Sequence, residues 1–406
     1  MKQAILSFAS VSVCLALSGP SLADVVADWN REAVAATLAA RQTPSMAARN
    51  IAIVHLAMFE AVNSLEPRYA PYRRRLPADP AASPPAAAAG AAHHALVRLI
   101  PEQRKELDSA LQASLAGLGE GTAETAGLEL GKQAAEAMLA ERSDDGAAAP
   151  NTYRPYTVAG RYVPTTLPQG YTWGAVRPFA LESGDQFRPP APYALDSPQW
   201  ARDYNEVKTL GAKTGSGRTP LQSDIARFWE LTGPATYNPV ARQVAEAKGL
   251  DLLDNARVFA LFSMATADAG IAVFDAKYAY NFWRPVTAIR CADLDGNDAT
   301  EPDAAWEPLV TTPMHPEYPC AHCTFQGSAA GALRALFGDS VPAFTLTSTT
   351  APGVTRRFDK LSDYVAEVVD ARVYDGVHYR TSGEIGARLG QRVGEYVVQN
   401  YLKPGM

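Results

Sequence analysis

Apolar residues along this chain recur mostly at three- and four-residue intervals, the period of helices that bury one face. The stretch from Val25 to Ala40 is rich in Ala, Val and Leu with scattered charges, and predicts a helix. Thr43-Pro44 breaks it and starts another, with proline at a favoured first helical position. That second helix carries Ile51, Val54, His55, Ala57, Met58, Ala61 and Val62. The Ala/Pro-biased run from Pro80 to Ala92 predicts linker first and helix second. Further helical patterns cover 101–118, 122–141, 198–210, 221–231 and 238–251, then 254–284 with or without a break, 323–337, 358–373 and 384–400. Strand-like alternation is scarce and no fixed repeat of 20–50 residues is present. The predicted class is all-α, a large helical bundle.

Two segments depart from this pattern. Residues 144–195 are rich in Pro, Gly, Tyr and Thr and lack sustained periodicity. They contain Tyr153, Tyr156, Tyr162, Tyr171, Trp173, Phe179, Phe187 and Tyr193. A connection this long is usually functional or packed by its own side chains, so a pocket wall or lid is the expected role. A domain boundary is placed here, dividing an N-terminal helical region, 24–195, from a C-terminal region, 196–406. The other segment is 1–23. Lys2 supplies a positive end, an apolar or small stretch runs from Ala4 to Leu17, and Ser21-Leu22-Ala23 forms a small-x-small cleavage site. The expectation is a secretory signal and an exported chain beginning near Asp24. The stretch from Val258 to Phe274 is the most apolar later on, but it carries Asp268 and several small residues. A buried bundle helix, and no membrane span in the mature chain, is expected.

Composition narrows the function classes. The 406 residues include 37 Lys and Arg against 43 Asp and Glu, a net charge of −6. That balance argues against a broad nucleic-acid-binding surface. Four cysteines exclude a disulfide-built scaffold, and Cys14 leaves with the leader. Cys291, Cys320 and Cys323 remain, and an oxidising compartment would favour a local Cys320–Cys323 disulfide. Six histidines are few enough to weigh singly. His55 is expected to pack inside a helix, and His93-His94 to lie partly exposed.

Three stretches in the last third can carry chemistry. In Lys277-Tyr-Ala-Tyr-Asn-Phe-Trp283-Arg284-Pro285, positions seven apart share a helix face, so Lys277 and Arg284 would project together. Two such cations suit a tetrahedral oxyanion, Arg through paired planar donors and Lys as a point charge. The stretch His315-Pro-Glu-Tyr-Pro319-Cys320-Ala321-His322-Cys323 precedes a helical run. A turn feeding a helix N-terminus is a natural anion site, Ala321 allows close backbone approach, and His322 can move a proton near neutral pH. In Arg372-Val-Tyr-Asp-Gly-Val-His378, Asp375-Gly376 should end the helix, so that Arg372 and His378 converge from helix end and turn. Three cations and two histidines within about a hundred residues are what oxyanion chemistry needs.

Lys277 with Arg284-Pro285, Pro319-x-x-His322, and Arg372 with His378 together resemble the three-part signature of the vanadium-dependent haloperoxidase and type 2 phosphatidic acid phosphatase superfamily. The long helical N-terminal part, and 173–229 more weakly, resemble its bacterial haloperoxidase-like branch. The resemblance implies that Lys277, Arg284 and Arg372 neutralise the equatorial oxygens of vanadate, or of phosphate in the same site. Cys320 and Ala321 stand where the family carries Ser-Gly beside the cofactor. His378 would be the axial ligand to vanadium and His322 the acid/base at the opposite oxygen. Hydrogen peroxide, a halide and a small organic acceptor would be the reaction partners. His315 stands where relatives carry Phe or His, and His there would tune the pocket toward bromide or iodide. The family often has Asp four residues after the axial histidine; here that position is Ser382, with Glu384 the nearest downstream carboxylate to orient His378.

Other readings of these residues stay open. Phosphate in the same pocket would allow phosphomonoester hydrolysis, with His378 the nucleophile and His322 the acid. A non-catalytic oxyanion-binding protein needs only the clamp. Cys320-x-x-Cys323 also resembles a thiol–disulfide oxidoreductase motif, but its neighbourhood lacks the βαβ pattern such enzymes use. A zinc site lacks a second Cys/His pair.

Overall fold

A computed structural model of the chain describes residues 24–118 and 121–405. The predicted leader lies outside them. The N-terminal half contributes α1 (Asp24–Ala39), α2 (Pro44–Leu65), α3 (Pro84–Leu99), α4 (Arg104–Leu115) and α5 (Thr122–Glu141). After the long connection come α6 (Pro198–Leu210), α7 (Pro220–Phe228), α8 (Pro234–Lys248), α9 (Leu252–Tyr280) and α10 (Pro285–Arg290). Then follow α11 (Ala321–Phe337), a hairpin of β1 (Ser340–Thr347) and β2 (Thr355–Lys360), α12 (Leu361–Tyr374) and α13 (Arg380–Asn400). Helix starts follow local chemistry. Thr43, Ser83, Ser197 and Thr219 each cap a helix whose next residue is proline, with the hydroxyl accepting a first-turn N–H.

The hairpin is the one element pair that the helical pattern misses. Pro342 and a register irregularity between Ser340 and Phe344 interrupt its alternation. Only Val341, Phe344 and Leu346 of β1 turn inward. Phe344 pairs with Phe358 across the strands and both rings meet Tyr364 of α12. Phe358, expected in a helix, thus lies in β2.

Helix α9 is buried along nearly its whole length, which is why its composition is apolar all round. It packs against α2, α11 and α13. It runs unbroken to Tyr280, where Asn281 turns left-handed at φ 48° and ends it. Lys277 is therefore in the last turn of α9, whereas Arg284 lies beyond the helix in extended backbone, capping α10. The shared-helix-face expectation for this pair is corrected: a left-handed turn, not helical periodicity, brings Arg284 around.

The helix that opens at the proposed anion site, α11, is clasped by α13. Glycines of α13 let the two backbones touch: a Cβ on Gly390 would stand 2.0 Å from the Thr324 carbonyl oxygen and 2.6 Å from the Ser328 nitrogen. The 144–195 connection is held by specific polar anchors. Buried Asp268 of α9 accepts the N–H groups of Phe179, Ala180 and Leu181 at 2.7, 2.7 and 2.9 Å. Arg142 stacks over the Phe179 ring and donates to the Pro178 carbonyl. Farther along, Tyr162 N–H donates to Asn281 and Gln169 N–H to Met314, which ties the connection to the loops around α9's end. His55 is fully buried, stacked on Phe259 and bonded to Asn30, while His93 and His94 are half-buried.

Candidate functional site

The three motif stretches meet at the C-terminal end of α9, the N-terminus of α11 and the turn after α12. Each contributes through a different backbone device. Lys277 sits one turn from the end of α9, fully buried. Its ammonium donates to the carbonyls of Pro316 and Glu317, both at 2.8 Å. This pins the loop that leads through a cis Tyr318–Pro319 bond into α11. Arg284 donates through Nη1 to the Val377 carbonyl at 2.8 Å and through Nε to the His315 carbonyl at 3.0 Å. The same guanidinium ties the loop before α11 to the turn after α12. Arg372, in the last turn of α12, donates to the Trp229 carbonyl at 3.1 Å and forms a buried ion pair with Asp375. Its Nε, also buried, has no partner in the protein.

The His378 tautomer follows from these contacts, because guanidinium can only donate. Arg284 Nη1 lies 3.1 Å from His378 Nε2, so Nε2 carries the lone pair. The ring proton is then on Nδ1, aimed at Glu317 Oε1 at 2.7 Å. Arg284 Nη2 lies 3.0 Å from His315 Nδ1, which also faces the Pro316 carbonyl at 3.2 Å, a donor on one side and an acceptor on the other. His322 lines the cavity, and its buried Nε2 has no partner.

Electrostatics sharpen the picture. Burial, then the charges of Arg284, Lys277 and Arg372, holds His378 well below the usual imidazole range. Burial and Arg372 do the same to His322, and burial with Lys277 and Arg284 to His315. Lys277 is pushed well below the ordinary amine range by burial and by Arg284. Several cationic groups therefore crowd one dry space, which an oxyanion would neutralise. Burial pushes Glu317 up to about 8 and Asp375 up to about 7, against the pull of the neighbouring cations.

The expected orienting carboxylate was misplaced. Glu384 lies on the exposed face of α13, where its carboxylate meets Arg388, and the His378 Nδ1 bonds Glu317 instead. Glu317 performs that role, accepting also from the Tyr379 N–H at 3.1 Å, with buried Ser382 beside its carboxylate. Glu317 lies in the motif already singled out, two residues after His315. Glu317 carries no spacing signal toward His378, 61 residues away, whereas Asp375 stands three residues after its partner Arg372, a spacing the sequence does show.

Cys320 is the N-cap of α11, its sulfur accepting the Cys323 N–H at 3.3 Å. Its carbonyl accepts from Thr324, and its own N–H donates to Ser382. Cys320 and Cys323 are both buried free thiols, so the expected disulfide is not formed here. Burial pushes the Cys320 thiol up, but the bonds from Cys323 and the charges of Arg372 and Lys277 outweigh it, leaving it lowered to about 7. Cys323 is raised by burial and by its neighbour. Ala321, first in the helix, borders the open space with no bulk to obstruct it.

That space is a cavity of about 460 Å³ lined by Trp173, Phe274, Met314, His315, His322 and Arg372 among others. Trp173 comes from the 144–195 connection, which thereby forms one wall. The donor set fits a tetrahedral oxyanion such as vanadate. Arg372, whose buried Nε has no partner among the described residues, borders the cavity with His315, His322 and Ala321. The Nε2 of His378, Arg284 and Lys277 stand beside it, Arg284 joining His315 to His378. The amides of Ala321 and His322 begin α11 without an intrahelical acceptor.

Known proteins are similar to this chain in sequence and fold. A family described as the VCPO second helical-bundle domain matches residues 257–404. Over 156 residues the chain is 30% identical to the vanadium chloroperoxidase of Curvularia inaequalis. That match takes in 32% of this chain and only 25% of the fungal enzyme, about a quarter of its length. A bacterial vanadium-dependent iodoperoxidase superposes with a TM-score of 0.80 at 26% identity, covering 94% of this chain and 98% of that one. An apo-type bacterial vanadium-dependent chloroperoxidase superposes at 0.70 and 16% identity, over 87% and 92% of the two chains. Its holo-type counterpart gives 0.67 and 17%, over 96% and 94%; these two establish the fold.

Proposed function

We propose that this chain is a member of the bacterial haloperoxidase-like branch of the vanadium-dependent haloperoxidase and type 2 phosphatidic acid phosphatase superfamily, and that it oxidises a halide, with bromide favoured, using hydrogen peroxide at a bound vanadate. The observation that carries this is the His378 ring. Its proton is committed to Glu317, and its lone pair accepts from Arg284 in the field of Lys277 and Arg372. A neutral, oriented imidazole is what a metal-ligand bond requires.

Under this proposal His378 Nε2 would hold the vanadium, and Lys277, Arg284 and Arg372 would hold its oxygens. Vanadate, when bound, supplies Lewis-acid activation of peroxide without a change of oxidation state. The chain's own residues prepare that chemistry. Glu317 fixes the His378 tautomer and ring orientation. His322, neutral because it is buried beside Arg372, offers Nε2 as a base for a proton arriving with peroxide. Arg284 must exchange its bonds to His378 and His315 for bonds to the anion, and Arg372 has a buried N–H ready. The cavity of about 460 Å³ leaves room for a halide and a small organic acceptor beside His322. Residues 1–23 would direct export, and the N-terminus of the purified native protein would begin near Asp24 if so.

The test is one preparation, loaded with vanadate or left unloaded. It is assayed for peroxide-dependent bromination of a phenolic dye and for p-nitrophenyl phosphate hydrolysis. Bromination only when loaded supports the proposal. Phosphate-ester turnover without halide oxidation would assign the site to phosphatase chemistry instead. His378→Ala should abolish the activity, and its retention would overturn the ligand assignment.

A further inference from the structure

We propose that Cys320 and Cys323 form a peroxide-oxidised thiol couple that closes the oxyanion site. The two residues occupy the N-cap and third position of α11, and the Cys320 sulfur is 3.3 Å from the Cys323 nitrogen. That places the sulfur against the other cysteine's own backbone, so an S–S bond requires side-chain rotation and no rearrangement of the helix. Both thiols are buried and free. Neither makes a contact that the fold needs sulfur for, since a serine hydroxyl caps helices elsewhere in this chain. The adjoining residues, Ala321 and His322, line the cavity in which peroxide would be consumed. The Cys320 sulfur also lies in the field of Arg372, Lys277 and Arg284, which favours its reactive thiolate.

The chemistry balances with peroxide as the oxidant. The Cys320 sulfur attacks one peroxide oxygen; an S–O bond forms, the O–O bond breaks and water leaves. Sulfur is oxidised to the sulfenic acid as peroxide is reduced. The Cys323 sulfur then attacks that sulfur; the S–S bond forms, the S–O bond breaks, and hydroxide leaves with the thiol proton as a second water. The disulfide takes the Cys320 sulfur away from the Cys323 N–H that it caps and locks the turn that carries the first amides of α11. Loss of that cap and of the turn's freedom to adjust predicts about tenfold weaker oxyanion binding. The proposal leans on the peroxidase reading only for peroxide reaching the cavity.

The experiment supplies peroxide directly to reduced, vanadate-free protein, followed by alkylation, peptide mass spectrometry and calorimetry with inorganic phosphate. The expected result is a 320–323 peptide two hydrogens lighter and no longer alkylated, with phosphate binding weakened about tenfold and restored by dithiothreitol. Cys323→Ser should stop at a dimedone-reactive sulfenic acid on Cys320. Cys320→Ser should keep its phosphate affinity unchanged by peroxide. Thiols that both remain alkylatable, or a disulfide that leaves phosphate affinity unchanged, would overturn the proposal. Reduced protein that binds neither phosphate nor vanadate would refute the oxyanion site itself, and closure with it, whatever the thiols do.

Discussion

Replacing Lys277 by methionine separates two roles that the structure assigns to one side chain. The ammonium holds two main-chain carbonyls at 2.8 Å, and under the proposed function its charge would also stabilise the anion. Methionine fills a similar volume but donates nothing. Two buried carbonyls then lose their donor, at about 1–3 kcal/mol each. Offsetting this, burial already holds the lysine well below its ordinary pKa, so its charge is kept at a cost that methionine does not bear. The net loss of stability should be about 2 kcal/mol. The effect on anion binding is separate. A unit charge about 5 Å from an anion is worth roughly 3 kcal/mol at an effective dielectric of 20, or about a hundredfold in affinity. Lys277→Gln keeps a donor for the loop without the charge. Urea unfolding should therefore show Met losing more stability than Gln, while calorimetry with phosphate shows both losing about a hundredfold in affinity. If Lys277→Met loses stability yet binds phosphate within about twofold of the parent, Lys277 is a loop anchor and the clamp assignment is wrong.

Other outcomes follow from the same geometry. Glu317→Gln should weaken vanadate binding about tenfold because it loosens the partner of a metal-binding histidine, whereas exposed Glu384→Ala should change it less than twofold, about the error of the measurement; the reverse order would return the orienting role to Glu384. Asp268 is pushed up to about 6 by burial, despite its three backbone donors. A carboxyl raised in the fold contributes stability that is complete below its ordinary pKa and lost as pH rises through about 6. Stability relative to the non-titrating Asp268→Asn should thus fall by about 3 kcal/mol between pH 4 and 7 in urea titrations, and a flat difference would contradict it. Gly390→Ala would drive a methyl into the Thr324 carbonyl and should cost about 3 kcal/mol in the same assay; a neutral result would mean that α11 and α13 can part without penalty.

The helices were legible because their signals are local. Thr43-Pro44 marked the start of α2, and an apolar period marked most of the rest. The β1–β2 hairpin was not, because Pro342 and an irregular register dilute a two-residue alternation. The motif residues were legible as candidates because Lys, Arg and His in that order have few other uses in an apolar stretch.

The sequence by itself determined the helical class and marked the three stretches that converge, with His322 and His378 as the candidates among six histidines. Tertiary structure alone decided how those residues are armed. Arg284 reaches the site because Asn281 turns left-handed, not because it shares a helix face with Lys277. His378 carries its lone pair on Nε2 because Arg284 donates to one side of the ring and Glu317 accepts from the other. Trp173 becomes a cavity wall because Asp268, far along the chain, ties down the connection that bears it. Periodicity and capping act over a few residues and can be read in one dimension. Tautomers, ion pairs and cavity walls depend on atoms brought within 3 Å or so by packing, and no spacing along the chain encodes them.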